Sequence, residues 1–211
     1  KLKINLLHIS TDEVYGPAEE TPFHENDILN PKNPYAASKA SAEHFVTSYG
    51  NTFGINYRII RASNNYGPRQ NKEKLTPKVI SNILNNKRVP VYGDGKQKRE
   101  WIYVTDTCAG IRVVLFKGKN TEIYNITSSH EQDNLTTIRY IIEKIGVKNK
   151  IEEEIIKFVQ DRKGHDNRYL IDASKIINLG WNPLVSYDSG INKTIEFYKK
   201  EENKWRYRLF V

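Results

Sequence analysis

Two short apolar runs, each stopped by a polar cluster and separated by a helical stretch, constrain this chain more than any other feature. Residues 2–9, LKINLLHI, run into Ser10, Thr11, Asp12 and Glu13. Residues 55–62, INYRIIRA, run into Ser63, Asn64, Asn65, Tyr66, Gly67 and Pro68. Runs of this length and apolarity suit buried parallel strands. Between them, residues 16–34 hold Gly16, Pro17, Pro22, Pro31 and Pro34 and read as a loop. From Pro34 to about Thr52 the pattern is helical, with alanines first, then Phe45, Val46 and Tyr49 on one face and Gly54 near the exit. Strand, helix and strand in that order predict α/β layering with a parallel sheet. Ligands bind beyond the carboxyl ends of such strands, and both polar stops fall at that edge.

The rest of the chain continues the alternation. The pattern predicts a helix over 76–86, a strand then a turn over 89–97 and a short strand at 101–104. A helix capped by Asp106 should run to about Phe116, followed by a strand at 122–126. Further helices are expected near 135–145 and 188–200, with a weak strand at 155–159. There is no internal repeat or low-complexity segment.

Composition narrows the function classes. The 211 residues suffice for one domain or one and a half, with a real core. No apolar run approaches the roughly 18 residues of a membrane span, and no signal-peptide pattern is present. A single cysteine, Cys108, excludes an internal disulfide and fits a reducing, cytoplasmic setting; it reads as a small half-buried residue. No metal is expected. The net charge of +8 suits an anionic partner. The lysines are scattered and form no basic stripe, which argues against nucleic acid and leaves a phosphate-bearing small molecule.

The chemistry-bearing pair is Tyr35 and Lys39, four residues apart and so on one helix face. A lysine ammonium beside a phenol favours the phenolate, and a tyrosine tuned in that way can act as a general base toward an alcohol. On spacing alone, the pair reads first as a solvent-exposed helix that happens to carry both residues. Its context says more. It follows Asn33-Pro34, lies 24 residues after Thr11, and precedes a second strand with a polar stop.

That arrangement resembles the extended short-chain dehydrogenase/reductase family, and the ThrAspGlu stop at 11–13 resembles its nucleotide-sugar 4,6-dehydratases. Further stretches match in family order: NPYAASKA at 33–40, SNNYGP at 63–68, EKLTP at 73–77, VYGDG at 91–95, REWIYVTD at 99–106, YNI at 124–126, DRKGHDNRY at 161–169 and LGW at 179–181.

The resemblance implies an α/β fold: the C-terminal part of a Rossmann-type parallel sheet with a smaller mixed α/β substrate-binding domain. Residues 1–68 would belong to the cofactor domain, with 98–130 returning to it, and 69–97 with 131–211 would form the sugar-nucleotide domain. It implies NAD as cofactor, held by Tyr35, Lys39 and Asn65. Thr11 would bond the substrate hydroxyl, Tyr35 would take its proton, and Lys39 would lower the tyrosine pKa and hold the nicotinamide ribose. Glu13 would remove the C5 proton and Asp12 would protonate the leaving O6. Asn64, Lys74 and Leu75 would contact the substrate; Pro90, Val91 and Tyr92 would border the base. Arg99, Arg162 and His165 would hold the diphosphate, with Asn134 another polar contact. Arginine suits that task because its planar fork donates two parallel bonds to phosphate oxygens.

The implied substrate is a nucleotide-diphosphate glucose carrying thymine or uracil, which differ by one methyl. The implied assembly is a homodimer joined through the Tyr35 helix and its neighbour.

Departures from the family pattern are also visible. Lys163 stands where the family has proline, and SSHEQDN at 128–134 replaces a glycine-containing version. His8 and His44 have no evident partners and read as structural. No GxGxxG or GxxGxxG turn is present, and there is no methionine. In the family that turn precedes the STDEVYG stretch, so roughly the first third of such an enzyme, with most cofactor contacts, is expected to lie before Lys1. A fragment of that kind would not turn over by itself. Two other readings stand beside this one. A related epimerase or decarboxylase is opposed by AspGlu after Thr11. A non-catalytic sugar-nucleotide-binding remnant is opposed by a suitable residue at every reactive position.

Overall fold

The computed structural model describes residues 5–147 and 151–205, with side chains to residue 200. Residues 2–4 of the first expected strand lie outside that range. In chain order the elements are β1 (Asn5–Thr11), a 3₁₀ turn (Asp12–Tyr15), α1 (Pro34–Phe53), β2 (Asn56–Ala62), β3 (Asn64–Tyr66), α2 (Leu75–Leu84), β4 (Val89–Tyr92) and β5 (Lys98–Tyr103). They continue with α3 (Val104–Lys117), β6 (Glu122–Ile126), β7 (Glu131–Asp133), α4 (Asn134–Ile145), α5 (Glu152–Ile155), β8 (Ile156–Val159), α6 (Ser174–Ile177) and α7 (Tyr187–Trp205).

Three strands form a parallel sheet in the order β1-β2-β6, with Thr11 opposite Ala62 and Ala62 opposite Ile126. The carboxyl ends of all three therefore lie along one edge. β2 is central, and its Ile59 and Ile60 are fully buried. β1 differs from the expected buried strand. It is an edge strand among the described residues, with Leu6 37% and Ile9 41% exposed, because β2 is its one partner there.

A second sheet, β3-β5-β7, pairs β3 with β5 in parallel and β5 with β7 antiparallel. A third pairs β4 with β8. The second polar stop is thus more than a loop: after Ser63 the backbone extends into β3 and joins β5. Alternation along β5 then links two cores. Ile102 packs with Ile60, Val114, Ile126 and Trp181 under the first sheet. Trp101 and Tyr103 point the other way, into a cluster with Val79, Ile80, Val91, Ile138 and Ile141. Each such buried side chain contributes about 1.5–3 kcal/mol relative to an exposed one.

Two local expectations are corrected. Asp106 does not cap α3. It lies inside the first turn, and its carboxylate accepts from the backbone N–H groups of Leu184 and Val185, pinning the segment before α7. Cys108 is exposed rather than half-buried, since it sits on the outer face of α3.

Candidate active site

The site begins where β1 ends. Thr11 is the last strand residue, and its hydroxyl accepts from the N–H of Glu13 at 3.3 Å, which starts the 3₁₀ turn. That turn buries Asp12 at 2% exposure and leaves Glu13 partly open on the surface of a cleft. The same hydroxyl donates to Asp12 Oδ1 at 3.1 Å, while Asp12 Oδ2 is buried with no hydrogen-bond partner among the described residues. Burial first, then the neighbouring Glu13, push the Asp12 carboxyl up to about 7. Two adjacent acids thus occupy different environments: one closed in and inclined to keep its proton, the other facing the cleft.

α1 supplies the opposite wall. Asn33 caps it, its side-chain oxygen accepting from Ala36 N at 2.9 Å, and Pro34 occupies the first turn. The capping amide has a second use, as its Nδ2 lies 3.4 Å from both Glu13 Oε2 and Asp166 Oδ2. Tyr35 follows on the exposed first turn and shares a hydrogen bond with Thr11.

The expected depression of the Tyr35 pKa is not seen. Burial, then Glu13 and Asp12, raise it, while the Thr11 bond works in the other direction. The reason is geometric: the Lys39 ammonium donates to the Ile9 carbonyl at 2.6 Å instead of facing the phenol.

The cleft has a volume of about 550 Å³. Of the residues expected at the site, Glu13, Tyr35 and Asn64 line it near the end of the first sheet. Lys74 and Leu75, at the start of α2, and Pro90 and Tyr92, on β4, form another part of the wall. Arg99, Asn134, Arg162 and His165 complete the set. Thr11, Asp12, Lys39 and Asn65 are not among the residues that line the cleft. Thr11 and Asp12 lie directly behind Glu13. The Asn65 amide donates to the Ser63 carbonyl at 3.0 Å, and its oxygen accepts from the Thr107 hydroxyl at 2.5 Å, which ties it to α3.

Arg99 is buried at 7% exposure. Its guanidinium lies 4.4 Å from the Tyr169 ring centroid and donates to the carbonyls of Asp166 and Lys98 at 2.9 and 2.7 Å. Burial lowers its pKa, an effect opposed by Tyr169, Asp12, Glu13 and Asp166. Asp166 and Tyr169 were missed as site residues although they lie in the quoted DRKGHDNRY stretch. The Tyr169 hydroxyl donates to Asp166 Oδ2 at 2.5 Å and reaches Glu13 Oε2 at 3.4 Å. Asn33, read as part of a helix start, was missed for the same reason: its second role depends on a residue 133 positions away.

Buried oxygens of Ser10 and Ser63, at the ends of β1 and β2, have no partners among the described residues, nor does Nε2 of His8. A polar group at this sheet edge fits them. No cluster of three or more His, Cys, Asp or Glu side chains among the described residues could hold a metal ion. No helix among them is long and apolar enough to cross a membrane.

A parallel α/β sheet with a threonine, two unlike carboxyls and a tyrosine–lysine helix at its carboxyl edge defines a Rossmann-type fold of the short-chain dehydrogenase/reductase kind. More narrowly, the chain belongs to the family described as GDP-mannose 4,6 dehydratase, which matches residues 1–194. It is 48% identical to the low-salt glycan biosynthesis protein Agl12 of Haloferax volcanii, over 91% of this chain and 61% of that protein. It is 44% identical to dTDP-glucose 4,6-dehydratase 1 of Escherichia coli K12, over 94% of this chain and 58% of the relative. The dTDP-glucose 4,6-dehydratase DesIV of Streptomyces venezuelae, solved with NAD and dTDP bound, superposes with a TM-score of 0.91 at 39% identity, over 94% of this chain and 61% of that one. The chain therefore spans about three fifths of the length of these relatives.

Proposed function

We propose that the protein of which this chain is a part dehydrates a nucleotide-diphosphate glucose, dTDP-glucose or UDP-glucose, to the 4-keto-6-deoxy sugar nucleotide. The observation that carries the reading is the pair after Thr11: Asp12 closed in, where burial favours its protonated form, Glu13 on the cleft, and Tyr35 across from both. Elimination of water across C5 and C6 needs a base and an acid together, and the C5 proton becomes acidic only beside a C4 ketone.

In this reading Thr11 and Tyr35 hold the C4 hydroxyl, and Tyr35 takes its proton. Glu13 removes the C5 proton. Asp12 delivers its proton to O6 as water leaves. Lys74, Arg99, Arg162 and His165 hold the diphosphate, with Asn64, Leu75 and Asn134 on the sugar and linker, and Pro90 and Tyr92 beside the base. Tyr35, Lys39 and Asn65 would hold the nicotinamide end of NAD, which when bound would supply a hydride acceptor for C4 and, once reduced, the hydride donor for C6. The NAD-bound relative in the same fold and the orphaned Ser10 and Ser63 hydroxyls support that assignment.

We also propose a division into a cofactor part, residues 1–68 with 98–130, and a sugar-nucleotide part, 69–97 with 131–211. We place the protein in the cytoplasm as a homodimer joined through α1, whose Phe45, Tyr49 and Phe53 are exposed.

The test is to incubate the full-length protein with NAD and each nucleotide-glucose and to follow the 4-keto-6-deoxy product by its alkaline absorbance and by NMR. Absence of product with both sugars overturns the reading.

A further inference from the structure

One polar chain in the cleft wall has a protonation state fixed by its partners. Just past β8, the Asp161 carboxylate sits over the Gly93 turn, so close that a Cβ on Gly93 would meet Asp161 Oδ2 at 2.8 Å. It accepts from His165 Nδ1 at 2.7 Å, from Gln97 Nε2 at 3.0 Å and from the backbone N–H of Arg162 at 2.8 Å. Burial acts against its charge, but these donors hold it below the usual carboxylate range.

On the other side of the ring, Arg162 Nη2 lies 3.1 Å from His165 Nε2. A guanidinium has no lone pair to offer, so Arg162 donates and Nε2 accepts. The ring proton is therefore on Nδ1, donated to Asp161, and the imidazole is neutral. Its side chain is 6% exposed.

This state does not suit an anion. The Nε2 lone pair would repel a phosphate oxygen, and Arg162, also stacked 5.2 Å from the Tyr92 ring centroid, is already engaged. For Arg162 and His165 to serve one diphosphate, Arg162 must turn its fork to the phosphate. With the Nδ1–H bond to Asp161 kept, the vacated Nε2 becomes a donor only by gaining a proton, and the Asp161 carboxylate is in place to balance the imidazolium.

We propose that Asp161 is a positioning residue that lets His165 take up a proton when a diphosphate seats on the 161–166 loop. The inference rests on the assignment of Arg162 and His165 as diphosphate partners. The charged and titratable groups that line the same cleft are Arg162, Lys163 and Asp166 in the same loop, Glu73, Lys74 and Lys78 around the start of α2, Arg99 on β5, Glu13 in the turn after β1, and the Tyr92 phenol of β4. The cations favour the anion without needing a proton, so the Asp161–His165 pair contributes the pH-dependent part.

The probe is thymidine 5′-diphosphate phenyl ester, which has no titratable oxygen near neutrality and no sugar to oxidise. Binding to the full-length protein is measured by calorimetry at pH 8 in buffers of different ionisation enthalpy. The expected result is uptake of about one proton per ligand, since the ring is neutral in the hydrogen-bonded arrangement of the free protein. Affinity should fall by up to about tenfold per pH unit above neutrality. Asp161→Asn should lose most of the uptake and His165→Gln all of it, with folding checked by circular dichroism. Binding by the wild type without uptake, or uptake that survives His165→Gln, overturns the proposal. Failure of the ester to bind at all overturns instead the diphosphate assignment of Arg162 and His165.

Discussion

Lys39 reaches from α1 to the carbonyl of Ile9, 2.6 Å away, and so ties the helix to β1 rather than charging the Tyr35 phenol. Tyr35, one turn earlier, is raised by burial and then by Glu13 and Asp12. In the cofactor-free protein its phenol should ionise above the ordinary tyrosine value of about 10. Ultraviolet difference titration near 295 nm, with Tyr35→Phe as the subtraction, isolates this one group. Ionisation below the ordinary value would show that Lys39 faces the ring in solution.

Asp12 gives a prediction with two opposed readouts. Its carboxyl, at about 7, keeps its proton in the folded state across a range where the unfolded chain, at the ordinary aspartate value of 3.8, has lost it. The unfolded state binds fewer protons there, so stability falls as pH rises from about 4 to about 7 and levels off above. The cost at pH 8 is on the order of 4 kcal/mol. Asp12→Asn should remove much of that cost, raising the denaturation midpoint at pH 8 and changing little at pH 4. The same substitution should abolish proton delivery to O6. Equal stability of the two proteins at pH 8 would mean that Asp12 is not sealed as described.

Glu13 faces the cleft, with Asn33 and Tyr169 both 3.4 Å from its Oε2. Glu13→Gln keeps those neighbours and removes the base. The full-length variant should still oxidise C4, seen as reduced nicotinamide at 340 nm in a single turnover. It should lose elimination by about 10²–10⁴-fold, the usual worth of a positioned base. Loss of both steps in equal measure would remove Glu13 from the role.

The sequence made the sheet edge legible because two effects agree there: apolar runs of strand length, and polar residues where each run stops. Short elements were less legible. β3 lies inside what reads as a polar loop, since Asn64 and Asn65 have low strand propensity and are held by β5, a partner 37 residues on. Residue identities at the site followed from the ThrAspGlu and TyrxxxLys motifs, but side-chain directions did not. Nothing in a helical spacing of four says that Lys39 will prefer a backbone carbonyl of β1. Nor does DRKGHDNRY reveal that Asp166 meets Asn33 and that Tyr169 reaches Glu13, because those contacts need the loop to fold back over α1 and the 12–15 turn.

Beneath the site, Arg61 and Glu43 form an ion pair whose side chains are both 3% exposed. Arg61 Nε lies 3.1 Å from both Glu43 oxygens, and its Nη2 is 2.6 Å from Oε2. Its Nη1 donates to the Tyr15 hydroxyl at 2.7 Å and to the Glu25 carbonyl at 3.1 Å. The pair thus locks β2, the turn that carries Asp12 and Glu13, and the helix that carries Tyr35 into one arrangement. Removing one partner leaves a buried uncompensated charge. Glu43→Gln should therefore destabilise the protein by about 3–5 kcal/mol. Replacing both residues with apolar ones of similar size should cost much less, because no charge is then stranded. Urea denaturation of the two single variants, Glu43→Leu and Arg61→Met, and of the double variant Glu43→Leu/Arg61→Met measures the coupling. A double variant as unstable as the two single losses combined would show that the ion pair does not act as a unit. A stable double variant with reduced turnover would show that the pair aligns α1 against the 12–15 turn, a task that apolar packing does not perform.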